Sequence, residues 1–95
     1  MDAHGQRILD LLADASRCAR LGDYGRAAQS INGCILDFQK LMERTEKPPR
    51  FMALAPKVTY SLETLLMMLE RKDWVAAADI IDYEFIPLWK EAFLL

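Results

Sequence analysis

Along the first part of the chain, apolar residues recur at three- and four-residue intervals: Ile8, Leu11, Leu12, Ala15, Cys18 and Ala19. That spacing places one buried stripe on a helix predicted over residues 3–21. Gly22 supplies a left-handed stop and Asp23 an N-cap acceptor, so the chain reverses within two residues. A second helix over 24–45 carries Tyr24, Ala27, Ala28, Ile31, Ile35, Phe38 and Met42 on its stripe, with Leu41 beside it. Pro48 and Pro49 end it, because a proline disfavours helical geometry in the residue before it.

Residues 46–50 read as a linker, and a third helix is expected over 51–72 with Val58, Leu62, Leu65, Leu66 and Leu69 facing inward. Pro56 either sits in its first turn, with 51–55 a looser lead-in, or kinks it. Asp73 caps a fourth helix whose stripe is Trp74, Ala77, Ala78, Ile81, Phe85, Leu88 and Ala92. Pro87 lies inside that helix and removes the bond to the Tyr83 carbonyl, which predicts a kink or a local unwinding. The fold expected is all-α: one domain, a four-helix up-down-up-down bundle made of hairpins 3–45 and 51–95.

The two hairpins also match each other. Asp23-Tyr24-Gly25-Arg26-Ala27-Ala28 returns fifty residues later as Asp73-Trp74-Val75-Ala76-Ala77-Ala78. Ile8 aligns with Val58, Leu12 with Leu62, Cys18 with Met68, Ile31 with Ile81 and Ile35 with Phe85 at the same offset. Duplication produces such a register, and so does any pair of helical hairpins of similar length.

Leu21-Gly22-Asp23-Tyr24 with Ala27 resembles the turn of a tetratricopeptide repeat, which implies a tight helical hairpin over about ten residues. The fifty-residue period differs from the 34 of that family, so the resemblance does not extend to a peptide-binding superhelix. Leu69 to Leu88 resembles the closing hairpin of small bacterial helical-bundle proteins grouped loosely with flagellar export chaperones. That resemblance implies a non-enzymatic, chaperone-like role and supplies no functional residues.

Composition narrows the function classes. The 95 residues carry a formal net charge of −2, and 53% of them are hydrophobic. Arg7, Arg17, Arg20 and Arg26 cluster around the first turn, but acids interleave with them, and no basic stripe for nucleic acid emerges. Charges interrupt every apolar run before it reaches membrane-spanning length. Antiparallel pairing about Gly22 sets Cys18 and Cys34 roughly 10 Å apart along the bundle, too far for a disulfide. Free thiols fit a reducing, cytoplasmic location.

Candidate chemistry is sparse. Asp79, Asp82 and Glu84 place carboxylates at metal-site spacing without the histidine that bundle metal sites add, so no metal or cofactor is expected. Cys18 and Cys34 have no histidine within local reach to act as a base. The expectation is that the chain is not an enzyme. The second reading, a ligand-binding or enzymatic bundle with a polar pocket between helices, requires Arg7, Arg17 and Lys57 to face inward.

The last helix departs from a simple amphipathic pattern. About sixteen of the residues from Trp74 to Leu95 are apolar, aromatic or alanine. Val75, Ile86 and Phe93 cluster off the main stripe, and Trp89 bridges the two sets. Two neighbouring helices within the monomer can bury so wide a face, and so can a protein partner or a second copy. The expectation favours the partner or homodimer, with Tyr83, Ile86, Trp89 and Phe93 as anchors and Met67 as a lesser one. On that basis Trp89→Asp disrupts assembly and leaves a helical monomer.

Overall fold

In the computed structural model, which describes residues 3–44 and 49–93, the two tight turns close alike, bond for bond. Between α1 (Ala3–Arg20) and α2 (Tyr24–Met42), the Asp23 N–H donates to the Cys18 carbonyl at 2.9 Å. The Asp23 carboxylate accepts from the Arg26 N–H at 3.3 Å. Between α3 (Pro49–Glu70) and α4 (Trp74–Ile80), the Asp73 N–H donates to the Met68 carbonyl at 2.9 Å. Its carboxylate accepts from the Ala76 N–H at 3.1 Å. Both acids are the N-caps that the sequence predicts. Gly22 takes φ +83° in the first turn, and Lys72 takes φ +57° at the matching place in the second.

The last helix consists of α4, a π-helical turn Ile81–Phe85, and α5 (Ile86–Phe93). The Ile86 N–H reaches back five residues to the Ile81 carbonyl. The widened turn stands directly before Pro87. A regular α-turn would press the proline ring against the Tyr83 carbonyl there and leave that carbonyl without its usual donor. Pro87 therefore neither ends the helix nor breaks it.

Four helices, with no strand among the described residues, enclose one principal core. Ile8, Leu12, Leu41, Phe51, Val58, Leu65, Ile81, Phe85 and Trp89 are its largest wholly buried side chains. Close backbone packing joins α1 to α2 and to the last helix, and the last helix to α3. On the α1–α2 seam, a methyl added at Gly33 would stand 3.3 Å from Leu11 Cδ1, a tight contact that the Leu11 side chain would have to relieve by a few tenths of an ångström. Between α2 and α3 the contact runs through long side chains, with the Phe38 and Phe51 rings 6.2 Å apart.

Several expectations change. Leu66, expected on the inward stripe of α3, is exposed, as are Tyr24 and Met42 of the α2 stripe, and α2 ends at Met42. α3 begins at Pro49, so the linker loses 49 and 50, and Pro49 itself takes the helix start, where its missing N–H costs nothing. Pro56 is inside the helix rather than in its first turn. The reason is Phe51, wholly buried against Trp89 with ring centroids 5.8 Å apart, which holds the segment ahead of Pro56 in the core.

Candidate interaction face on the second hairpin

The expected anchors fall in different places. Trp89 is 0% exposed. Its ring packs among Phe38, Phe51 and Phe85, and its Nε1–H donates to the Gly5 carbonyl at 3.1 Å. It is therefore a core residue that ties the last helix to the start of α1, and its role as a surface anchor is corrected. Ile86 is half-buried against the same core. Tyr83 is 74% exposed, and Met67 is exposed on α3. The Phe93 side chain lies outside the described residues.

The breadth of the apolar stripe on the last helix thus has a source inside the chain. That helix packs against both α1 and α3, and each neighbour takes part of the stripe. On the second hairpin the uncovered apolar side chains are Met52, Tyr60, Leu66 and Met67 of α3 with Val75 and Tyr83, and the first hairpin exposes Leu21, Tyr24, Leu36 and Met42. Pro56 and Tyr60 are one turn apart, and Met67 lies two turns beyond Tyr60, so the three share one side of α3.

Between that side of α3 and the last helix runs an open groove of about 420 Å³ lined by Pro56, Lys57, Tyr60, Ser61, Glu84 and Leu88. Its position follows from local structure. Glu84 belongs to the π turn and Leu88 stands one turn further on; Tyr83, next to Glu84 in sequence, is not among the lining residues. Ser61 is nine-tenths buried, and its hydroxyl makes no hydrogen bond among the described residues. Lys57 and Glu84 are exposed, and neither forms an ion pair among the described residues. The groove thus offers apolar walls, one cation, one anion and a free hydroxyl. Sequence reasoning missed Tyr60, because its position off the α3 stripe reads as ordinary solvent-facing helix.

The other polar groups are occupied in tying helices together. Arg20 Nη2 donates to Asp79 Oδ1 at 2.9 Å and to Asp82 Oδ2 at 2.8 Å, joining α1 to the last helix. The acidic pair that resembles a metal site by spacing is thereby an ion-pair clasp, and those hydrogen bonds favour the charged guanidinium further. Asp14 of α1 accepts from Ser30 Oγ of α2 and from Arg17 Nη2, each at 2.6 Å. These bonds, Ser30 first, hold its carboxyl below the usual value.

Asp37 on α2 is buried and pairs with Arg7 of α1. It lies one turn from Cys34. Burial first, and the Asp37 charge second, push the Cys34 thiol up to about 12, so it stays protonated and unreactive near neutrality. Cys18 and Cys34 are both free and buried. Arg7 and Arg17 are exposed and pair with Asp37 and Asp14, and Lys57, also exposed, lines the groove.

No helix among the described residues is long and apolar enough to cross a membrane. Compared with known proteins, the chain matches no family model, no curated protein and no solved structure.

Proposed function

We propose that this protein is a non-enzymatic interaction module, an adaptor or chaperone-like bundle that buries an apolar face against a protein partner or a second copy. The face differs in composition from the one the sequence suggests: Tyr83 and Met67 remain, Tyr60 joins them, and Trp89 leaves. One observation carries the reading. Tyr60, 71% exposed, lines an apolar groove between α3 and the last helix, and Tyr83, 74% exposed, precedes the lining residue Glu84 in sequence. Exposed aromatic residues beside a groove are the usual anchors of helical recognition, because each ring desolvates a large area at low entropic cost. The up-down-up-down arrangement belongs to this reading too. It is supported by the meeting of Tyr24 and Trp74 beside the two tight turns and of Trp89 with Gly5 far from them. We place the protein in the cytoplasm on its two free thiols.

The test compares wild type, Tyr60→Glu/Tyr83→Glu and a control, Leu36→Glu, on exposed surface of α2. Light scattering after size exclusion reports self-association, and quantitative affinity enrichment from the source cell extract reports partners. The tyrosine double variant, still helical by circular dichroism, is expected to lose an association that wild type and control share. Identical behaviour of all three proteins would refute the reading.

A further inference from the structure

The groove has a charge arrangement that selects among possible occupants. Lys57 comes from α3 and Glu84 from the last helix. Both line one groove, and neither is neutralised by an ion pair among the described residues. A surface with a cation on one bank and an anion on the other, separated by apolar residues, is complementary to a copy of itself turned by a half-rotation. Closed homodimers have this property, because the same patch serves both sides and residue i meets j while j meets i.

We infer that the groove is the centre of a two-fold homodimer, in which Lys57 of each copy pairs with Glu84 of the other. This rests on the interaction-module reading and names its partner as a second copy of this chain. The Tyr60 ring and the Leu88 side chain supply the apolar middle, and the Ser61 hydroxyl offers a donor and an acceptor in the groove wall.

Charge reversal tests the pairing in a way that a structural role for either residue would not mimic. Lys57→Glu alone sets two acids against each other on both sides of the dimer, and Glu84→Lys alone sets two bases. Each single variant is expected to raise the dimer Kd roughly tenfold or more at low salt, with the loss shrinking as salt rises. Mixing the two variants restores opposite charges at both contacts, and so does combining the changes in one chain. Sedimentation equilibrium should therefore show dimer in wild type, in the mixture and in the double variant, and dissociation in each single variant alone.

Three results overturn the inference: a monomeric wild type up to high micromolar concentration, single variants that dimerise like wild type, or a mixture that stays monomeric. The tyrosine variants separate this failure from that of the wider reading. If they abolish capture of a different protein while the charge swap does nothing, a foreign partner occupies the groove and only the homodimer is lost.

Discussion

Tyr24 and Trp74, equivalent positions in the two hairpins, stack on each other with ring centroids 4.8 Å apart and planes 10° from parallel. A residue that touches its own counterpart lies beside the axis relating the two halves. The fifty-residue offset therefore brings matched residues into contact in the folded molecule, each directly after its capping aspartate, Asp23 or Asp73. Beneath the stack, Cys18, Ala19, Ala27 and Ala78 form a small second core. Tyr24→Ala and Trp74→Ala should each lower stability. In a double-mutant cycle followed by urea unfolding, their coupling should reach about 0.5–1.5 kcal/mol, the range for aromatic pairs. Additive losses would show that the rings do not interact.

The second turn stores strain that the first avoids. Lys72 carries a side chain at φ +57°, where Gly22 holds the corresponding position. Replacing it with glycine removes a left-handed penalty of about 1–2 kcal/mol and returns part of it as added freedom of the unfolded chain. Lys72→Gly should raise Tm by a few degrees, given about 4–8 °C per kcal/mol for a domain of this size. Gly22→Ala should lower it. Calorimetry on the pair decides, and equal shifts of the same sign would contradict the argument.

Trp89 is the core residue whose loss the fold tolerates least. Trp89→Phe keeps an aromatic ring but removes the donor to the Gly5 carbonyl, at an expected cost of about 1–3 kcal/mol. Trp89→Asp places a carboxylate in an apolar enclosure and should abolish cooperative unfolding, rather than release an intact helical monomer. Thermal melts followed by circular dichroism distinguish the two. A folded Trp89→Asp protein would mean that the indole is not enclosed.

Acid should weaken the α1–α2 hairpin through Asp14. Its folded pKa lies below the unfolded value of about 3.9, because Ser30 and Arg17 donate to the carboxylate. The stabilisation is complete above the unfolded pKa and disappears as pH falls through the folded one. Asp14→Asn lacks this contribution. Wild type should therefore exceed the variant in urea midpoint near pH 6, and the gap should close towards pH 2. A gap independent of pH would assign the effect to packing instead.

Much of the architecture was legible because helix periodicity and capping are local. Asp23 and Asp73 announce themselves by type and place, and each accepts the N–H that its position demands. The core of the last helix, Ile81 with Phe85 and Ala92, follows its stripe. What escaped depends on long-range placement. A wide apolar stripe on one helix reads the same whether two internal neighbours or an outside partner cover it, so Trp89 reads as an anchor for a partner. Pro56 looked like a helix start because nothing local reveals that Phe51 is held by Trp89. Arg20 lies about sixty residues from Asp79 and Asp82, and no periodicity joins them. The groove is a property of two helices together, and Tyr60 gains its meaning only when Glu84 and Leu88 are opposite it.

The π turn has a bearing on phase. Successive core residues Ile81, Phe85 and Trp89 are each four positions apart, and in a uniform α-helix every such step overshoots a full turn by about 40°. A wider turn spends an extra residue and cancels part of that drift, which keeps all three side chains on one line into the core. Removing a single residue from 81–85 would regularise the hydrogen bonding and leave the flanking turns in phase, but it would press the Pro87 ring against the carbonyl one turn before it. The oddity is what makes room for a proline inside a helix whose end is tied to the chain's beginning.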